Sequence, residues 1–355
     1  MAAAVVDRGG TVTSTPTSPM RRVVVSPGRI EVVAAEVPRP GAGEVLVRTV
    51  LAGVCGSDTH AAAGHHPFVP LPYRPGHEVV GVVTALGHDA GDLAPGDRVT
   101  LEPTLPCGAC KMCRTGRSNL CENLRFFGCG WEQGAMADWF TAPADRLHRI
   151  PDTIGDLDAT LVEPLSSPVH AVRLAGDLTG AAVAVLGCGT IGLLTLAAVR
   201  RAGARAVVMT DPLPAKRELA LRLGADAVVD ARADDVVAQV RSALGESADA
   251  VFDCVANRFT VPQAVGMALK AGTVVVVGVP AGDVAVPLAL IQDQQVRLQG
   301  SATYLAEDIA VATAMVAAGE VRAADLVTAE FPLDDVAAAF AASASGAHVK
   351  VVLRA

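Results

Sequence analysis

A chain of 355 residues is long enough to bury two hydrophobic cores. It is 51% hydrophobic, 19% charged and only 3% aromatic, so its apolar mass is mainly Ala, Val and Leu, which excludes disorder and suits helices packed on a Val-rich sheet. A formal net charge of −8 argues against a nucleic-acid-binding surface, and no apolar run approaches the roughly 20 residues of a membrane span.

Residues 1–19 are rich in Thr, Ser and Pro and lack the apolar stretch of a secretory signal. They read as a flexible tail, and the protein as cytoplasmic. From about 20 to 150, short Val-rich runs such as Glu44–Val50, Glu78–Leu86 and Asp97–Leu101 are separated by Pro-Gly turn signals, the pattern of a mostly β domain. From about 170, strand-like runs alternate with helical stretches. Ala182–Leu186 is a strand, Thr190–Arg201 a helix, Ala206–Thr210 a strand and Pro214–Leu223 a helix. Strands at Ala227–Val229, Ala250–Phe252 and Thr273–Val277 follow, with helical segments between them. Strand-helix alternation predicts a parallel, doubly wound sheet. Helices over Ala306–Ala318 and Leu333–Ala342 and a strand over His348–Leu353 come last, and these return to complete the first domain.

Gly187-Cys188-Gly189-Thr190-Ile191-Gly192 is a G-x-G-x-x-G sequence placed after a strand and opening a helix. Gly187 allows the tight turn, Gly189 lets the backbone approach a pyrophosphate, and Gly192 permits close helix–strand packing. The helix N-terminus offers unpaired N–H groups to phosphate. Asp211 ends the second strand, where a carboxylate accepts from ribose hydroxyls and repels a 2′-phosphate, so NAD is expected over NADP. Lys216, five residues on, is a second candidate for that ribose.

Four of the eight cysteines lie within fifteen residues, Cys107, Cys110, Cys113 and Cys121. Four thiolates at short spacing make a closed tetrahedral zinc site, structural because it leaves no open position. An iron–sulfur cluster also takes four cysteines, but the long last spacing and the lack of a following Pro differ from the common ferredoxin pattern. Cys55, His77-Glu78 and Glu163 are further metal-ligand types in separate segments, and no spacing rule joins them.

Several motifs recur in order along the chain. They are Cys55-Gly56-Ser57-Asp58 with His60, Pro75-Gly76-His77-Glu78, the four-cysteine loop, Glu163-Pro164-Leu165-Ser166, Gly187–Gly192, Asp211 and Val277-Gly278-Val279-Pro280. As a set running from about Met20 onward they resemble the zinc-dependent medium-chain dehydrogenases, within them the sorbitol or polyol dehydrogenase branch. The resemblance implies an α/β protein. Its parts are a GroES-like, mostly β catalytic domain over 20–168, completed by 302–355, and a Rossmann NAD-binding domain over 169–301. It also implies a catalytic zinc on Cys55, His77 and a glutamate, with Glu78 and Glu163 both candidates and neither preferred. Two zinc ions per chain, NAD and a homodimer or homotetramer follow, the last through a strand near Val296–Gly300.

The resemblance further implies oxidation of a secondary alcohol, with zinc lowering the pKa of its hydroxyl and NAD taking the hydride. Ser57 would accept the proton and His60 would carry it to solvent. Asp58 would orient His77, and Val277 and Val279 would flank the nicotinamide. Cys129 and Trp131 are candidates to line the substrate pocket, with core packing the alternative. Animal sorbitol dehydrogenases have an aromatic residue after the relay histidine and an arginine beyond the Rossmann domain, where this chain has Ala61 and Thr303. A pocket lacking both suits a polyol, cyclitol or sugar-like substrate other than sorbitol itself. A ketone or aldehyde reductase and a threonine-type dehydrogenase use the same scaffold, and a non-enzymatic nucleotide-binding protein would not need Cys55, His77 and Ser57.

Overall fold

The computed structural model describes residues 4–6, 12–14 and 19–355. The reading of 1–19 as a flexible tail therefore falls largely outside the described residues, of which Ala4–Val6 and Val12–Ser14 pair antiparallel. The chain divides into two compact units, Met1–Glu163 with Ala312–Ala355, and Pro164–Val311. Among the described residues no helix is long and apolar enough to cross a membrane.

Unit one is built on a mixed sheet. Its strands run in the order Leu147–Arg149, Arg98–Leu101, Glu78–Leu86, Glu44–Val54, Lys350–Arg354 and Val327–Pro332, and Trp139–Pro143 also pairs with Glu44–Val54. The long Glu44–Val54 strand organises the sheet because its eleven residues can pair with several partners along their length. Two apolar clusters cover the sheet. One gathers Val45, Val47, Val79, Val83, Phe127 and Phe140, and the other gathers Ala52, Val54, Val351, Leu353, Val336 and Phe340. The helix Val336–Ala344 supplies the last two and closes the second cluster over strands from both sequence segments of the unit.

Unit two is a six-stranded parallel sheet among the described residues. Its order is Ala227–Asp230, Ala206–Asp211, Ala182–Leu186, Ala248–Asp253, Ala268–Val276, Arg297–Gly300. Numbered by sequence, this is 3-2-1-4-5-6, the doubly wound order that changes direction next to its first strand. Ala182–Leu186 lies at the centre and is buried throughout, as a strand covered on both faces must be. The Arg297–Gly300 strand forms one edge of the sheet and is largely exposed.

One feature of the first sheet violates the usual economy of a core. Glu78, at the start of its strand, is 1% exposed, and Lys350, at the start of another, is 2% exposed. The two strands lie on either side of Glu44–Val54, with Gly53 opposite both Glu78 and Val352. The Lys350 ammonium pairs with the Glu78 carboxylate across Gly53 and also donates to the Val54 carbonyl at 3.1 Å. A Cβ on Gly53 would meet the Glu78 carboxylate and lie 2.9 Å from Lys350 Cε. The glycine thus makes room for the ion pair in the middle of a sheet where a side chain would otherwise pack.

Removing one member of such a pair leaves the other charge buried and alone, which costs about 3–5 kcal/mol. Lys350→Met should destabilise unit one by that amount, and adding Glu78→Gln should return part of the loss. Urea unfolding followed by tryptophan fluorescence isolates this unit, because both tryptophans of the chain, Trp131 and Trp139, belong to it. An unchanged midpoint for Lys350→Met would show that the buried pair does not support the fold.

Candidate active site and metal centres

The Glu44–Val54 strand runs directly into Cys55, and Glu78 begins the neighbouring strand one residue after His77. Pairing of Gly53 with Glu78 therefore brings two distant segments to one end of the sheet. A cysteine sulfur, an imidazole nitrogen and a carboxylate oxygen from Cys55, His77 and Glu78 all lie within 4.8 Å of one another. A soft, an intermediate and a hard donor in one cluster, with Cys55 half-buried and His77 and Glu78 buried, make a set that zinc accepts. Three protein ligands leave a fourth position for a substrate, the arrangement of catalytic zinc sites.

Of the two glutamates proposed from sequence, Glu78 joins this three-residue set. Glu163 stands outside it, 5% exposed in the first turn of the helix Val162–Ala175. Its negative charge still reaches the same place. Burial alone would pull the Lys350 ammonium down, but Glu78, Cys55 and Glu163 together hold its pKa above the ordinary value. Lys350 thus ties the site electrostatically to both carboxylates. Sequence reasoning missed it, although a single lysine inside the apolar run Val349–Leu353 was the available signal.

The helix Gly56–Ala62 follows Cys55 at once. Asp58 is fully buried and caps the helix start, its carboxylate accepting the Cys55 N–H at 3.1 Å. The Tyr73 hydroxyl lies 3.4 Å from the same carboxylate and 3.2 Å from the Asp58 carbonyl. Burial pushes the Asp58 carboxyl up, while the charge of His77 opposes the shift. Burial in turn works against a charged His77, yet Cys129 and Asp58 beside it raise its pKa well above the ordinary value. Cys129 Sγ lies 3.7 Å from His77 Nδ1, and the Phe126 ring packs edge-on against the imidazole at 5.5 Å. Ser57 is half-buried and His60 exposed on the short helix. Residues three apart on a helix share a side.

The four-cysteine loop forms a second cluster. Sulfurs of Cys107, Cys110, Cys113 and Cys121 all lie within 4.8 Å of one another. Two of the edges measure 3.5 Å, Cys110 to Cys113, and 3.9 Å, Cys110 to Cys121. A tetrahedral zinc with Zn–S bonds of ~2.3 Å requires sulfur–sulfur edges of ~3.8 Å. Backbone N–H groups of Cys107 and Asn123 point at the Cys121 sulfur at 3.2 and 3.3 Å, and that of Cys110 points at Cys107 at 3.4 Å. Amide donors of this kind, with Ala109 foremost, hold the Cys107 thiol down at about 6, which favours the thiolate a metal needs. Trp131 belongs to a different neighbourhood. It packs against the apolar cluster that contains Phe127 and Phe140, with the Arg125 guanidinium 4.1 Å above its ring.

In unit two the glycine-rich turn takes the form that the sequence predicts. Gly187 has φ +98, and a Cβ on Gly192 would collide with the Gly187 carbonyl. Thr190 and Ile191 open the helix Thr190–Arg201, and the first N–H groups of a helix point out of its N-terminus. Asp211, 7% exposed, is held beside this turn by two backbone donors, Cys188 N–H and Leu213 N–H, both at 2.9 Å. Its lone pairs are not exhausted by two donors. Lys216 is half-buried on the following helix, but Arg217, which sequence reasoning passed over, bonds the Asp211 carbonyl at 2.7 Å and pairs with Asp230 at 3.1 Å. Val277 is half-buried and Val279 46% exposed just beyond the Ala268–Val276 strand.

Comparison with known proteins agrees with this geometry. Residues 41–152 match the alcohol dehydrogenase GroES-like domain, and residues 190–318 match the zinc-binding dehydrogenase domain. The chain is 31% identical to sorbitol dehydrogenase of Ovis aries over 337 residues, covering 94% of this chain and 95% of that one. It is 33% identical to L-galactonate-5-dehydrogenase of Escherichia coli (strain K12) over 305 residues, covering 85% and 88%. Among solved structures it superposes with a TM-score of 0.88 and 34% identity on one from Sinorhizobium meliloti 1021, described as a zinc-binding dehydrogenase bound to NADP, covering 96% of this chain and all of that one. The donor clusters, the doubly wound sheet and these relatives lead to one assignment: the chain belongs to the zinc-type medium-chain alcohol dehydrogenase family, is polyol-dehydrogenase-like within it, and is an oxidoreductase.

Proposed function

We propose that this protein oxidises a secondary alcohol on a polyol, cyclitol or sugar-like substrate and transfers the hydride to NAD. The observation that carries this reading is the cluster of Cys55, His77 and Glu78. Cys55, His77 and Glu78 would hold the catalytic zinc, with Glu163 able to exchange into the set, and the four-cysteine loop would hold a structural one. When bound, zinc supplies Lewis acidity toward an alcohol oxygen and the nicotinamide supplies a hydride acceptor.

The protein's own residues manage charge and the proton. The Glu78–Lys350 pair balances the charge of the Glu78 carboxylate where both side chains are buried. Asp58 fixes the start of the helix that carries Ser57 and His60. The Ser57 hydroxyl accepts the proton of the alcohol and hands it toward His60, which is exposed and so can pass it to solvent. Cys129, beside His77, faces the substrate in this reading, and Trp131 adds a half-buried aromatic face from the same segment. Gly187, Gly189 and Gly192 admit the pyrophosphate. The anchored carboxylate of Asp211 supports NAD over NADP, Lys216 lies within the same ribose region, and Val277 and Val279 offer an apolar surface to the nicotinamide. Thiols without disulfide partners fit a reducing, cytoplasmic setting. The names of the sorbitol and galactonate relatives favour polyhydroxylated substrates over simple alcohols.

The test is reduction of NAD by the zinc-replete protein with linear polyols, cyclitols, aminocyclitols, sugar acids, threonine and simple secondary alcohols, with NADP in parallel. Turnover is expected with one polyhydroxylated class and NAD. Ser57→Ala should then lower kcat by about 10²–10⁴ while zinc content stays constant. Turnover confined to threonine or simple alcohols, or a preference for NADP, would overturn the substrate or cofactor assignment respectively. The exposed edge strand Arg297–Gly300 supports a homodimer or homotetramer, and light scattering that gives a monomeric mass would remove that part of the proposal.

A further inference from the structure

His77 lies in two donor clusters. One is the set with Cys55 and Glu78. In the other, a nitrogen of His77, the sulfur of Cys129 and a carboxylate oxygen of Asp58 also lie within 4.8 Å of one another. Asp58 is fully buried and His77 is 4% exposed, so neither is a surface acid or histidine gathered by chance in solvent.

The spacing fits a metal. Zinc bonds of ~2.3 Å to sulfur and ~2.0–2.1 Å to nitrogen at a tetrahedral angle set a sulfur–nitrogen edge of ~3.6 Å. Cys129 Sγ and His77 Nδ1 are 3.7 Å apart. Asp58 uses one oxygen to accept the Cys55 N–H and has Tyr73 at the long distance of 3.4 Å from the other, which leaves carboxylate lone pairs for an ion. Backbone packing builds the cluster. Gly128 has φ +74, and a Cβ there would collide with the backbone of Gly76. That close approach of glycines brings the residue after one, Cys129, against the residue after the other, His77.

We propose that Asp58, His77 and Cys129 form a second, weaker zinc position, and that zinc taken up there inhibits the enzyme. This rests on the assignment of His77 to the catalytic set. An ion on Nδ1 changes His77 as a donor to the first set, and it occupies the place from which Cys129 faces the substrate. Metals bind the deprotonated forms of these donors, so uptake releases to solvent whatever protons the Cys129 sulfur and the bound imidazole nitrogen carry. The sulfur–nitrogen edge is already at the length a metal needs, and the Asp58 carboxylate oxygen lies within 4.8 Å of both partners.

The experiment is equilibrium dialysis of the holoenzyme against rising zinc chloride, with zinc per chain measured by mass spectrometry and turnover measured on the same samples. Wild-type protein should hold two zinc ions tightly and gain a third at micromolar free zinc, with turnover falling as the third is taken up. Cys129→Ser and Cys129→Ala should keep the two tight ions, which shows that they are folded, and weaken the third by more than ~10-fold. With cadmium chloride in place of zinc, the third ion should add sulfur-to-cadmium charge-transfer absorbance in wild type and not in Cys129→Ala. A third ion bound equally well by both variants, or no third ion at millimolar zinc, would overturn the proposal. Absence of turnover in a protein that still gains a Cys129-dependent ion would instead count against the dehydrogenase substrate assignment alone.

Discussion

A carboxylate without access to water must find a positive charge inside the protein or give up its own. In this chain Glu78 finds Lys350, and much of unit one is arranged so that it can. The partner comes from a strand some 270 residues away in sequence, the intervening strand carries a glycine where the two side chains meet, and the ammonium spends another bond on the Val54 carbonyl next to Cys55. The cluster of metal-ligand residue types is therefore not a decoration on a finished sheet. Cys55 and Glu78 stand at the ends of the strands whose pairing the buried charge spans.

Much of this was legible in sequence, for a physical reason. The strands Glu78–Leu86 and Ala182–Leu186 and the helix Thr190–Arg201 have the observed limits because uninterrupted apolar runs end at strong turn or cap signals. The four-cysteine cluster and the glycine-rich turn are local, so their spacing carries their geometry. The Cys55, His77 and Glu78 set is not local, and only resemblance joined its segments. Lys350 escaped notice because a lone charge in an apolar strand gives no clue to its partner. The helix Val162–Ala175 also escaped, since Glu163-Pro164-Leu165-Ser166-Ser167-Pro168 has the composition of a loop. Burial of Val162, Leu165 and Ala171 outweighs the missing hydrogen bond at Pro168. The Ala268–Val276 strand begins earlier than the sequence suggests, because Lys270-Ala271-Gly272 reads as a turn while Ala271, at φ 60, is absorbed as an irregularity in the pairing.

The two units solve opposite electrostatic problems. In unit two the ligand expected is an anion, and the fold offers it the N–H groups of a helix start with Asp211 pinned alongside by two amides. In unit one the ligand expected is a cation, and the fold offers thiol, imidazole and carboxylate with a lysine standing behind them. Arg217 and Lys350 play parallel parts. Neither belongs to a recognised motif, and each holds a motif residue's surroundings in place through one backbone carbonyl and one carboxylate.

The position of Lys350 also bears on how the protein comes into being on the ribosome. Domains made during translation usually fold in the order in which they emerge. Here the segment Pro164–Val311 is complete as a unit before the segment from Ala312 onward exists, whereas Met1–Glu163 must wait for it. The strand that carries Lys350 pairs with the inner Glu44–Val54 strand, so until the chain has been made past residue 350 Glu78 has no counter-charge and the sheet has an open inner edge. Unit two is thus free to mature first, and unit one stays unfinished until the strand that carries Lys350 has been made.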